Sequence, residues 1–366
     1  MKKIEIVTIF DNPNFGTYLQ ALALGVILKR FNYNVEILYY IRPKRYKYLF
    51  KEKVLSRHDF ILKIYALLRN NKDVLQRIGC RSFVKKQVKI SKPYFSYFKL
   101  ENKYPYADIY LTGSDQVWNT LHNDGIDKVF YLGFVPDIIP KYSYGSSIGT
   151  DSIPEMYKNE TKLLLNRYKE ISVREYSNVN ILSELGINST CVLDPTLLLN
   201  SKEWLEYSKP FIKDENYVLV YSVETKEQNE IIQKIAKHIA VKNGLKIYEV
   251  SYTTKSICGC DRYFLYSTPD IFLSLVANAS YIVGSSFHIT AFAINFNKQF
   301  ITVTPEKFTS RVDSLLDMLK LQNRKVSCYN QGVINTLLNE PITYDNVNAL
   351  LFQRKESSFA FIRNIC

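Results

Sequence analysis

The sequence has 366 residues, 46% hydrophobic and 23% charged, the proportions of a folded globular chain long enough for two domains. No stretch approaches the ~18 consecutive apolar residues of a spanning helix, and the opening MKKIEIVTIFDNPNFG alternates as a strand and turn rather than a leader, so a cytoplasmic protein is expected. The net charge of +13 is concentrated: residues 42–99 hold 17 Lys and Arg against three acids, and the remainder is close to neutral.

Strand and helix patterns alternate along most of the chain, which predicts parallel sheets with crossover helices. Residues 4–10 read as the first strand. A turn at 11–16 leads into a helix with Leu19, Leu22, Ala23, Val26 and Ile27 on one face. A second strand covers 35–40. The basic segment that follows interleaves Tyr, Phe, Leu and Ile with its bases, as in RPKRYKYLFKEKV and RSFVKKQVKISK. That pattern suits an anionic membrane surface, where rings settle at headgroup level and each base contributes ~1 kcal/mol. A solvated basic subdomain is the plainer alternative, and no nucleic-acid partner is expected.

Strands follow at 108–112, 170–173 and 190–194, with helices near 155–167 and from an N-cap at Ser177 to Gly186. A linker around 200–214 precedes a second alternation. It comprises strand 217–223, helix 227–242 with Ile231, Ile232, Ile235 and Ile239 inward, and strand 245–250. A helix start at Thr268-Pro269 comes next, then strand 280–284, helix 287–296, strand 299–303 and helix 309–321. The expected fold is α/β: two doubly wound domains, 1–200 and 215–330, facing across a cleft. The linker is placed at 201–214, and 331–366 is an extension that packs back on the first domain. Six cysteines in a chain of this length are no disulfide framework, and the CxC of Cys258 and Cys260 lacks partners at zinc spacing. Reduced thiols and no metal are expected.

Ligands of open α/β sheets bind beyond the carboxyl ends of the strands, often at helix N-termini that favour anions. Four polar clusters stand at such exits: Asn14 and Gly16; Gly113-Ser114-Asp115-Gln116; Arg174-Glu175; and Gly284-Ser285-Ser286-Phe287-His288. Each alone is ordinary tight-turn chemistry, and a His capping its own turn is the plain alternative for His288. Yet His288 opens a helix whose positive end disfavours an imidazolium while attracting an anion that would re-protonate it. That balance suits a proton donor used when an anionic substrate is present. Arg174 and Arg311 offer guanidinium forks for a carboxylate or phosphate.

These residues fall within stretches that resemble the polysaccharide pyruvyl transferase family: NFGTYLQALALGVIL, TGSDQVWN, YSYGSSIG, ISVREYS, VLDPTLLL and SSFHITAFAINFNKQFI, with R-V-D-S-L-L after them. The resemblance implies two Rossmann-like domains of GT-B-like glycosyltransferase architecture. It also implies transfer of the pyruvyl group of phosphoenolpyruvate to a sugar, forming a cyclic ketal and releasing phosphate, with no cofactor beyond that donor. It assigns His288 as the acid or a phosphate ligand, and Arg174, Arg311, Ser285 and Ser286 to the donor. Asp115 is then a second catalytic group, with Asn14, Gly16, Ser114 and Gln116 on the acceptor side. The acceptor implied is a polyprenyl-diphosphate-linked saccharide at the inner face of the cytoplasmic membrane. Two departures stand out. Ser286 occupies a position where many members carry arginine, and the glycine-rich start is reduced to residues 11–16. A GT-B glycosyltransferase using a nucleotide sugar is the alternative enzyme, and a carbohydrate-binding or membrane-adaptor protein the alternative outside catalysis.

Overall fold

The computed structural model describes residues 1–10, 12, 14–42, 72–210, 216–223, 226–251, 255–305 and 309–365. The chain divides into two compact units. Met1–Leu198 joins Lys355–Cys366 in the first, and Leu199–Arg354 forms the second.

The first unit is built on seven strands: β1 (Lys3–Val7), β2 (Asn34–Ile37), β3 (Lys89–Ile90), β4 (Ile109–Thr112), β5 (Lys141–Ser146), β6 (Glu170–Val173) and β7 (Thr190–Cys191). They pair in parallel in the order β3-β2-β1-β4-β5-β6-β7. β4, Ile-Tyr-Leu-Thr, is buried along its whole length, as a strand covered on both faces must be. Helix α1 (Phe15–Arg30) is buried on nearly every side, which explains its run of Leu, Ala, Ile and Gly. The Asn14 side chain accepts from Gly16 N–H and caps the helix, and Lys29 and Arg30 oppose the dipole at its other end.

β1 ends three residues earlier than its pattern suggests. Past Val7 the chain leaves the ladder, and Thr8 Oγ1 donates to the Ser114 carbonyl at 2.6 Å. Further along come α2 (Lys72–Lys85), α3 (Glu155–Leu165) and α4 (Tyr176–Glu184). α4 starts one residue before Ser177, with Glu175 at the cap. Glu175 makes no side-chain cap bond, because its carboxylate is taken by Arg174.

In the second unit β8 (Tyr217–Tyr221), β9 (Lys246–Ser251), β10 (Arg262–Leu265), β11 (Tyr281–Gly284), β12 (Gln299–Val303) and β13 (Lys325–Val326) also pair in parallel, in the order β10-β9-β8-β11-β12-β13. α5 (Lys226–Asn243) buries Ile232, Ile235, Ala236 and Ile239 against this sheet. α6 (Pro269–Asn278) begins at Thr268 with Pro at its first position, although the Thr268 hydroxyl donates to Asp270 and accepts from no backbone N–H of the helix. α7 (Phe287–Asn295) is buried throughout and packs on α8 (Ser310–Met318).

Two segments differ from a plain linker and tail. Residues read as linker include the helix Ser201–Leu205, opened by a capping box between Asn200 and Glu203. The C-terminal residues form α9 (Gln331–Asn339) and α10 (Tyr344–Arg363). The last of these belong to the first unit. There Leu193 N–H donates to Ser358 Oγ at 2.9 Å, and the Phe361 ring lies 6.2 Å from Tyr144.

Of the basic segment, residues 43–71 lie outside the described residues. Two of its bases are not surface charges: Arg42 is buried and donates to Asn123 Oδ1 at 3.0 Å, and Arg81 is buried against the Tyr39 ring and donates to its hydroxyl. Lys85, Lys86, Lys92, Lys99 and Phe98 are exposed. Among the described residues no helix is long and apolar enough to cross a membrane.

Candidate active site

In the first sheet the order reverses between β1 and β4, because the chain moves outward to β2 and β3 on one side and to β5, β6 and β7 on the other. Such a switch point leaves a crevice at the carboxyl edge. Asn14, Gly16, Ser114, Asp115 and Gln116 all fall there. Asp115 adopts φ +81°, a left-handed conformation uncommon for a residue with a Cβ. The surroundings hold it: Thr17 Oγ1 donates to Oδ2 at 3.2 Å, and Gln116 N–H donates to Oδ1 at 2.8 Å. Gly149, after β5, has φ +67°, and a Cβ there would collide with the Gln116 and Asn119 amides. Glycine is what allows the two loops to meet.

Arg174 leaves β6 and is buried. Its Nε donates to Glu175 Oε1 at 3.0 Å, and its Nη1 to Asp194 Oδ2 at 2.8 Å. Burial opposes its charge, and the Glu175 and Asp194 carboxylates outweigh burial, so the guanidinium pKa is held above its ordinary value. Asp194 also accepts from Ser114 Oγ at 2.8 Å and, through Oδ1, from Thr196 N–H and Oγ1. Ser114 and Arg174 therefore share one carboxylate. On the other side Gln20 Nε2 donates to Thr8 Oγ1 at 3.1 Å, and Thr8 reaches Ser114. One hydrogen-bonded chain thus runs under the strand exits from α1 to Glu175.

Sequence reasoning overlooked Thr8, Thr17, Gln20, Asp194 and Thr196. A signal was present for some of them. Thr17 and Gln20 are three apart in a helix otherwise without strongly polar residues before Lys29, and Asp194 is the one charged residue of VLDPTLLL.

The second sheet reverses between β8 and β11, and Ser285, Ser286 and His288 stand at that switch point. Ser285 Oγ lies 3.2 Å from Ser222 Oγ and accepts from Val223 N–H at 3.3 Å, which ties the two strand exits together. Ser286 caps α7, accepting from Ile289 N–H at 3.2 Å. A Cβ on Gly284 would come within 2.7 Å of the Tyr221 carbonyl, so only glycine lets β11 close on β8 at this edge. His288 is buried in the first turn of α7, its ring edge-on to Phe287. Arg311 is half-buried in the first turn of α8, the helix that follows β12 and packs on α7. Cys258 is buried, and burial first, with Glu249 adding, pushes its thiol pKa up, away from a reactive thiolate. Among the described residues no group of three His, Cys, Asp or Glu side chains is placed to hold a metal ion.

Two parallel-sheet α/β units with polar residues at their switch points define a GT-B-like, Rossmann-type fold. Solved structures bear this out. The chain is similar to UDP-GlcNAc 2-epimerase from Neisseria meningitidis bound to UDP-GlcNAc (12% identity, all of both chains covered, TM-score 0.57). It is also similar to MnaA of S. aureus in a co-structure with UDP (12% identity, 97% of this chain and 91% of that one, TM-score 0.55). At that identity the likeness is one of fold. A search of curated proteins gives no match. The model of the polysaccharide pyruvyl transferase family matches residues 14–307, and the chain belongs to that family. It is an enzyme of the transferase class.

Proposed function

We propose that the protein moves the pyruvyl group of phosphoenolpyruvate onto a sugar of a polyprenyl-diphosphate-linked polysaccharide precursor. The observation that carries the reading is the family match over residues 14–307, which spans both sets of strand-exit residues. The donor carries a carboxylate and a phosphate, and the opening turns of α7 and α8 offer N–H groups, serine hydroxyls and Arg311 for them. His288 protonates the methylene carbon, which becomes the ketal methyl group. One sugar hydroxyl then bonds to the central carbon, and a second displaces phosphate and closes the ring. Of the two hydroxyl protons released, one replaces the proton given by His288 and the other leaves with phosphate. No further cofactor is needed for the balance.

In this reading Ser285, Ser286, Arg311 and Arg174 serve the donor. Asn14, Gly16, Ser114 and Gln116 serve the acceptor, and Asp115, already fixed by Thr17 and the Gln116 N–H, takes the hydroxyl proton that then leaves with phosphate. The reading includes reversible docking at the inner face of the cytoplasmic membrane, where a lipid-linked acceptor resides. Exposed Lys85, Lys86, Lys92, Lys99 and Phe98 support it.

The test is phosphate release from phosphoenolpyruvate in the presence of lipid-linked oligosaccharides, together with thermal stabilisation by donor. A ligand at a hundred times its Kd stabilises by about 2.7 kcal/mol. Stabilisation by UDP-GlcNAc and none by phosphoenolpyruvate would replace this reading with a nucleotide-sugar enzyme.

A further inference from the structure

The first unit also holds a pocket of about 540 Å³ that none of the candidate site residues above lines. Small-ligand sites occupy roughly 300–1,000 Å³. Every wall comes from a connection leaving the carboxyl end of a strand: Tyr40 and Arg42 after β2, Ser96 and Tyr97 after β3, and residues 122–124 and 126–128 after β4. The pocket therefore shares the edge of the sheet that carries Asp115, on its β2–β3 side.

Its lining is fixed before any ligand arrives. Arg42 donates to Asn123 Oδ1 at 3.0 Å while Asn123 Nδ2 donates to the Val117 carbonyl at 2.9 Å. The Tyr40 ring packs edge-on against Phe130, and Asp127 Oδ1 accepts from Val129 N–H at 3.1 Å. Asp124 closes the short helix Thr120–Asn123 in a left-handed conformation, φ +66°.

The chemistry of the lining selects a ligand class. The lining holds two bases, Arg42 and Lys128, and two acids, Asp124 and Asp127, and Lys128 also pairs with Glu160 at 3.1 Å, so the pocket has no surplus of cations. A phosphate would call for a surplus of cations and a metal ion for a surplus of carboxylates. Carboxylate and guanidinium groups supply both acceptors and donors, as hydroxyls that do both require. The half-buried Tyr97 ring offers apolar surface for a C–H face. A neutral pyranose has these properties.

One side chain joins this pocket to the acceptor residues. Asn119 Oδ1 accepts from Leu121 and His122 N–H at 3.0 Å, capping the helix that forms the pocket wall, and its Nδ2 donates to Gln116 Oε1 at 2.7 Å. The geometry points to this pocket as the subsite for a neutral pyranose unit of the acceptor, adjoining the unit that receives the pyruvyl group. The inference rests on the reading that the acceptor is a saccharide.

Saturation-transfer NMR of the full chain with lactose, cellobiose and maltose tests it, using the wild type, Tyr97→Ala and Asp124→Asn. The pyranose C–H protons of at least one disaccharide become saturated by the wild type. Its Kd rises at least tenfold in Tyr97→Ala and at least threefold in Asp124→Asn. Asn accepts the left-handed backbone, so the second variant decides the matter if the first fails to fold. No saturation of any of the three by the wild type, or equal Kd values in the wild type and Asp124→Asn, overturns the subsite. Phosphate release from phosphoenolpyruvate is read in parallel. Its loss with saturation intact rejects the pyruvyl reading alone, and its presence without saturation rejects the subsite alone.

Discussion

Removing the Arg174 side chain isolates two carboxylates that are 0% and 1% exposed, those of Glu175 and Asp194. Breaking a buried ion pair by deleting one partner costs about 3–5 kcal/mol. Asp194 retains the Ser114 and Thr196 hydrogen bonds and softens its share, whereas Glu175 loses its Arg174 partner. Arg174→Met is therefore expected to lower the melting temperature of the first unit by roughly 6–20 °C, at 2–4 °C per kcal/mol. The two tryptophans make the assay specific. Trp118 is buried in the first unit and Trp204 in the second, so Trp118 fluorescence in a Trp204→Phe background follows the first unit. Arg174→Lys keeps a charge but not the fork, and should fall between the two in stability while weakening apparent affinity for phosphoenolpyruvate. An Arg174→Met protein that melts within 1 °C of the wild type at pH 8 would refute this account of the network.

His288→Gln should reduce turnover by about 10²–10⁴-fold with little change in melting, and a variant retaining most of its rate would remove His288 from the proposed acid role. Glu5, buried in β1, has its carboxyl pushed up to about 8 by burial first and by Glu36 second, against the opposing charge of Lys3. An acid whose folded pKa exceeds its unfolded value of about 4.3 contributes stability fully below that value and loses it as pH rises towards 8. Glu5→Gln should flatten this fall, which reaches about 1.4 kcal/mol per pH unit, in urea melts between pH 5 and 8; identical slopes would count against it. Sedimentation with anionic vesicles should decline steeply with salt, because the attraction is screened over ~8 Å at physiological ionic strength. Reversing Lys85, Lys86, Lys92 and Lys99 to Glu should abolish it while sparing turnover of a short soluble acceptor, and vesicle binding that ignores both salt and reversal would end the docking idea.

Much of this protein is written locally. Apolar runs such as Tyr217–Tyr221 specify strands covered on both faces, Asn14 and Thr268-Pro269 mark helix starts, and the polar residues between a strand and the next helix mark the edge where ligands bind. These signals depend on neighbours within a few residues, so the chain alone carries them. Tertiary structure decided which strands adjoin, and with that which polar groups meet. That β1 lies between β2 and β4 places Asn14 and Asp115 at one switch point, although 100 residues separate them. Whether an arginine is a surface charge or an internal counterion follows from the same pairing. Arg42, Arg81 and Arg174 look alike in sequence, yet Asn123, Tyr39 and Asp194 bury and hold them from distant segments. Periodicity reports that a face is covered; only the folded chain supplies the partner that covers it, because burial of a charge is affordable only where a distant group completes its hydrogen bonds.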